Sequence, residues 1–160
     1  KPLTPATDMP GPYKGTGNDK PWGQTLADIL TRIASAEFSV IPTTYDRAAE
    51  LAYPGRIGGA GHQDADRFWM QLHAAFPNAR FSIDHQIGMN EPLCAARAAV
   101  RWSLHGTHSG WGMFGKPTGA EVYIMGITQA EFGRHGLRRE WTLIDETAIW
   151  KQILLATGNL

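Results

Sequence analysis

The chain has a single cysteine among 160 residues, Cys94, so no intramolecular disulfide can staple it. Its setting, Leu93-Cys94-Ala95-Ala96, reads as a small core position rather than a nucleophile, because free cysteine is usually buried and inert. Neither sign of charge is in excess: net charge is +0 at pH 7. Without a basic excess, nucleic acid is not an expected partner. No apolar run approaches the roughly 20 residues needed to cross a bilayer, so a membrane is not expected either. A charged, apolar, small-residue leader is also missing, and the expected location is cytoplasmic. There is no Gly-rich strand-to-helix phosphate loop, which removes Rossmann and P-loop readings. His105 and His108 are three apart and would face opposite ways on a strand. With His62, His73, His85 and His135 they make no zinc spacing. No metal and no cofactor is expected, and no internal repeat is visible.

What is present fits one domain with a real core. Apolar residues are 42% and charged residues 19%, an ordinary globular balance. Six tryptophans and six phenylalanines favour a bulky interior or a pocket. Residues 1–22 hold Pro2, Pro5, Pro10, Pro12 and Pro21 with intervening glycines and read as an extended tail or linker. Residues 23–160 read as the single domain.

Leu26, Ile29, Leu30, Ile33 and Ala34 recur at helical spacing, with Thr25 as the expected N-cap and Asp28 in the first turn. Tyr45 to Gly61 reads as short strands and turns. A second helix is expected from about Asp64 to Phe76, with Phe68, Leu72, Ala75 and Phe76 on its apolar stripe, Trp69 beside it and Pro77 past its end. The period then changes to that of strands. Expected strands cover Phe81 to Ile87, Leu93 to Thr107, Glu121 to Phe132 and the segment after His135-Gly136. Glu146 to Leu155 closes the chain as a helix, burying Ile149, Trp150, Ile153 and Leu154. Helices followed by consecutive long strands argue an α+β fold with helices on one face of a mainly antiparallel sheet.

Several stretches resemble one family. Arg101-Trp102-Ser103-Leu104-His105-Gly106-Thr107-His108-Ser109-Gly110 is similar to the "RW-x-x-x-GTH-x-G" strand end of SnoaL-like polyketide and ester cyclases, members of the NTF2-like superfamily. Pro117-Thr118-Gly119, Gly126-Ile127 and Glu140-Trp141 with Asp145 match further motifs in order. Upstream, Asp66-Arg67-Phe68-Trp69 and Ala75-Phe76-Pro77 do the same. The turn Glu131-Phe132-Gly133-Arg134-His135-Gly136-Leu137 departs from the family pattern, with an acid where arginine is common. The resemblance implies a cone-shaped α+β barrel, a strongly curved sheet around N-terminal helices and an open apolar pocket. It also implies a homodimer, or pairing with a second similar domain, because tandem copies occur and the proline-rich start would suit a joining stretch.

The resemblance implies cofactor-free acid/base ring closure, an intramolecular aldol reaction on a polyketide-like molecule. Arg139, Trp141, Leu143 and Asp145 alternate onto one strand face, so Asp145 is the expected proton-transfer group. It reads equally as the N-cap of the helix that follows. Gln129, on the preceding strand, is the second catalytic candidate as a non-titrating oxyanion donor; its plain reading is a solvated strand residue. Trp69, Trp102, Trp141 and His108 are candidate substrate contacts, the tryptophans more often being core residues and His108 a strand-end hydrogen bonder. The expected ligand is a hydrophobic, oxygenated small molecule. Two alternatives stand beside this: a non-enzymatic ligand-binding or interaction domain, and a hydrolase or isomerase drawing on Arg101 or Arg139.

Overall fold

The computed structural model describes residues 12–159; Pro2, Pro5 and Pro10 lie outside them. Four helices and six strands follow one another as α1 (Pro21–Ala34), α2 (Val40–Thr44), β1 (Tyr45–Tyr53), β2 (Ile57–Ala60), α3 (Gly61–Ala75), β3 (Arg80–Met89), β4 (Ala96–Thr107), β5 (Glu121–Gly133), β6 (Gly136–Ile144) and α4 (Glu146–Ala156). The strands form one curved, unclosed sheet in the order β2-β1-β6-β5-β4-β3. β1 runs parallel to β6 and every other pairing is antiparallel.

α1 starts earlier than the sequence suggests. Pro21 occupies its first turn, where a missing N–H costs nothing. Thr25 is therefore inside the helix, its hydroxyl donating to the Pro21 carbonyl at 3.0 Å, and Lys20 is an N-cap without a side-chain bond. The expected stripe holds: Leu26, Ile29, Leu30 and Ile33 are all buried, each worth about 1.5–3 kcal/mol relative to exposure. The alanine-rich stretch of β4 lies beneath α1. Ala96 and Ala98 face it, and Gly23 comes so close that a Cβ there would sit 3.0 Å from the Ile87 carbonyl carbon.

α3 covers β1 and β2, so both long N-terminal helices lie on one face of the sheet. Among the described residues, the opposite face carries no long helix. α4 sits beyond the end of β6, where Gln152 continues the ladder of β5. Its amide donates to the Tyr123 carbonyl and its carbonyl accepts the Tyr123 N–H, both at 2.8 Å. Ile149 and Ile153 of α4 are buried, whereas Trp150 is 43% exposed.

Upstream of α1, Thr16 to Asn18 lies along the β3 edge. The Gln86 N–H donates to the Thr16 carbonyl, and the Asn18 N–H to the Gln86 carbonyl, both at 2.9 Å. This blunts a strand edge that would otherwise offer unpaired backbone groups. Cys94, expected in the core, is exposed. It falls in the turn between β3 and β4, beside the fully exposed Leu93 with φ 63, where the chain has left the sheet and has nothing to pack against. No helix among the described residues is long and apolar enough to cross a membrane.

Candidate functional site

Side chains alternate along β6, but a register shift near the β5–β6 turn resets the alternation. Leu137 and Glu140, three residues apart, are both buried, and Thr142 and Ile144 follow on the same side. Arg139, Trp141 and Leu143 share the other face, as their spacing requires. That face is the helix-free one: Trp141 is 42% and Leu143 66% exposed. Asp145 continues it at the start of α4, where its Oδ1 accepts the Ala148 N–H at 3.0 Å. It is an exposed N-cap. Of the two expectations for Asp145, the structure shows the N-cap, on an exposed side chain rather than one enclosed by the sheet.

The acid enclosed by the fold is the neighbour of Trp141. Glu140 is 1% exposed and lies in register between Leu51 of β1 and Ala130 of β5. Tyr45, at the start of β1, donates its hydroxyl to Glu140 Oε1 at 2.5 Å. Tyr53 Oη, Trp69 Nε1 and Glu140 Oε2 are each buried without a well-formed hydrogen bond. Tyr53 and Trp69 nevertheless lie close enough for their donors to favour the carboxylate. Desolvation dominates: it pushes the Glu140 carboxyl up to about 7, and the donors from Tyr45, Tyr53 and Trp69 oppose it. Burial followed by the negative charge of Glu140 pushes both tyrosine hydroxyls up, so they stay protonated donors at neutral pH.

Around this polar cluster the interior is packed with rings. Tyr53 stacks on Phe68 with centroids 4.1 Å apart, and Phe68 meets Trp69 edge-on at 4.9 Å. Trp69 lies 6.0 Å from Trp102, and Trp102 lies 5.8 Å from Phe81. Trp22 and Phe132 close another part of the core at 4.7 Å. Trp102 is wedged over Gly126: a Cβ there would sit 2.2 Å from its ring. Its Nε1 donates to Thr128 Oγ1 at 3.0 Å, and Thr128 shares a hydrogen bond with Thr142 at 2.9 Å. On this side a hollow of about 170 Å³ opens beside Tyr53, Phe68 and Gln71, and a cleft of about 30 Å³ lies between α1, α3 and the β3–β4 hairpin, lined among others by Ala34, Trp69, Phe81 and Trp102. The cleft has room for about one water.

The larger hollows open on the helix-free face. One of about 500 Å³ is bordered by Ile87, Met89, Arg97, Gln129, Glu131 and Trp141. Gln129 and Trp141 are direct cross-strand partners, so these two candidates do come together, at the surface. A second hollow, about 580 Å³, runs beside Asp145, Arg101, Ile127 and Leu143. Trp69 and Trp102 meet in the core, on the other side of the sheet from Trp141. His108 is buried between Phe76 and Phe114, with Nδ1 2.9 Å from Thr118 Oγ1 and Nε2 unpartnered. Burial lowers its pKa. It belongs to the loop anchor, where its carbonyl also accepts the Thr118 and Gly119 N–H groups. No group of three or more metal-ligating side chains occurs among the described residues.

Glu140, Tyr45 and Tyr53 were missed from sequence. Trp141 and Leu143 made one face of β6 look interior, while Thr142 and Ile144 make the other look almost as apolar. The available signal was the three-residue gap that a bulge inserts.

The likeness to known proteins follows the same architecture. A family model, SnoaL-like polyketide cyclase, matches residues 44–153. No curated protein matches the chain. Among solved structures, a candidate SnoaL-like polyketide cyclase from Jannaschia sp. CCS1 superposes with TM-score 0.68 at 16% identity, covering 85% of this chain and 96% of that one. IdmH, a candidate polyketide cyclase from Streptomyces antibioticus, gives TM-score 0.66 at 17% identity over 84% and 99%. A third, from Acidithiobacillus ferrooxidans, gives 0.67 at 18% over 87% and 99%. At such identities the structures speak for the fold, and the family model for the family: the chain belongs to the SnoaL-like polyketide cyclases, with the NTF2-like fold.

Proposed function

We propose that this domain performs cofactor-free acid/base chemistry on a hydrophobic, oxygenated small molecule, with Glu140 rather than Asp145 as the proton-transfer group. The observation that carries this reading is a carboxyl enclosed in the core with one tyrosine bonded to it and two further donors beside it. A base poised near neutral pH is suited to proton abstraction from carbon. In a polyketide-like ring closure Glu140 takes a proton from a carbon next to one carbonyl. The C–H electrons pass to a carbonyl oxygen, where Tyr53 Oη–H and Trp69 Nε1–H are the available donors. The enolate carbon then bonds to a second carbonyl carbon, whose oxygen receives the proton back from Glu140. Gln129 and Asp145, both on the helix-free face, have no part in this scheme. The test is turnover of a small panel of polyketide-like diketones. Glu140→Gln is expected to abolish it and Asp145→Asn to leave it intact; the reverse pattern would overturn the assignment.

A second reading, a non-enzymatic binding or interaction domain, is favoured by one specific observation: the cleft walled by Trp69 and Trp102 holds only about 30 Å³. Failure of every diketone to turn over or bind would select it.

We also propose that the helix-free face pairs with a second copy of the chain. Glu50, Arg139, Glu131 and Arg97 follow one another across four strands in register, and Arg139 bridges Glu50 at 3.1 Å and Glu131 at 3.4 Å. A row of four alternating charges is self-complementary about a two-fold axis between β5 and β6. The same axis sets Leu143 against Ile127, both exposed. A monomer by light scattering, unchanged by Arg139→Glu, would contradict this.

A further inference from the structure

The two core tryptophans are held very differently. Trp102 is pinned by its bond to Thr128 and wedged against Gly126. Trp69 is also buried, yet its Nε1 has no hydrogen bond of good geometry. Trp69 also borders both compartments: its ring lines the 30 Å³ cleft under α1, and its N–H lies at the Glu140 end. Turning that one ring forfeits no well-formed hydrogen bond, only its packing against Tyr53, Phe68 and Trp102. Turning Trp102 would break a buried bond and strike the backbone of β5.

We infer that Trp69 is a movable door between the α1–α3 cleft and Glu140, and that the molecule passing it is flat, apolar and oxygen-tipped. This rests on the reading of Glu140 as the working acid. The cleft is walled by Trp69, Trp102, Phe76 and Phe81, with Leu30, Ile33 and Leu104 beside them. Planar walls accept a planar guest by offset stacking. At the inner end stand two donors, Tyr53 and Trp69, and one acceptor, Glu140 Oε2, which suits a single carbonyl or hydroxyl and nothing bulkier. Ala34, at the C-terminal end of α1, is half-buried and lines the cleft, so its size sets the width of the mouth.

The experiment uses naphthol, a flat phenol, mixed with the full chain by stopped flow and followed by fluorescence. Trp69→Phe is expected to speed association about tenfold or more, and Ala34→Trp to slow it by a similar factor. Circular dichroism of both variants reports folding, and because the two push the rate in opposite directions, general destabilisation cannot imitate the pair. Rates unchanged in both variants, or naphthol binding lost instead in Trp141→Ala on the helix-free face, would overturn the door. Glu140→Gln separates the two layers of the inference. Rates that respond to Trp69 and Ala34, with an affinity whose pH dependence is the same with and without Glu140, keep the door and remove Glu140 as the working group.

Discussion

The two faces of β6 put nearly the same kinds of side chain to opposite uses. On the helix-free face Arg139 sits between Glu131 and Glu50 in an open, charge-balanced row. One residue along, Glu140 faces the helices with tyrosines and a tryptophan, and desolvation pushes it up to about 7. The same functional group, a carboxylate, is a routine surface charge at Glu131 and a titratable interior group at Glu140. A one-residue step therefore separates a solvated face from an enclosed one, and parity decides which carboxylate loses its water.

The largest effect expected from breaking this contrast is Glu140→Lys. It would bury an unpaired cation among protonated hydroxyls and should cost about 3–5 kcal/mol or unfold the domain, as read by urea denaturation. Glu131→Lys, on the open face, should move stability by about 1 kcal/mol or less. Equal losses would erase the distinction between the faces. Next comes Gly126→Ala, which pushes a methyl group into the Trp102 ring. Overpacking of this kind costs about 1–3 kcal/mol, and the loss should appear as a lowered Tm.

A pH dependence of comparable size follows from Glu140. Burial pushes its folded pKa up to about 7 from the ordinary 4.5, so the folded state binds the proton more tightly than the unfolded chain. Its contribution to stability is full below the unfolded pKa, falls as pH rises, and is lost above about 7. Over that window the change amounts to about 3 kcal/mol. His108, whose pKa is lowered by burial, slopes the other way, so the comparison must be with Glu140→Gln, in which His108 is unaltered. Wild type should lose stability relative to that variant from about pH 5 to pH 8. Parallel curves would contradict a raised carboxyl. The smallest effect is at Asp145: Asp145→Ala removes the α4 cap and should cost about 0.5–2 kcal/mol, with no change in proton-transfer chemistry.

Much of the fold was legible because periodicity records burial. The stripe of α1, the strands β3 to β6 and the closing helix follow from spacing alone, and the ordered motifs from Trp102 to Asp145 carried the family. The short α2 has too few residues for a period to register. The site was less legible. Spacing correctly grouped Arg139, Trp141, Leu143 and Asp145, but alternation gives faces without saying which one is inside. Trp141 pulled the choice outward because a large aromatic usually marks the core, yet here it lies on a face with no long helix over it. Cys94 misled for the same reason: its apolar neighbours say nothing of where a turn leaves the sheet. The closed interior could not be read at all, since it depends on Trp102 meeting Gly126, a strand position that has no side chain.

The most direct test of the central claim is a carbon NMR titration of the Glu140 side-chain carboxyl in the intact chain, assigned with Glu140→Gln. A midpoint of about 7 is expected, well above the ordinary glutamate range near 4.3. A midpoint within that ordinary range would mean that water reaches this carboxyl freely, and would contradict its assignment as an enclosed proton-transfer group.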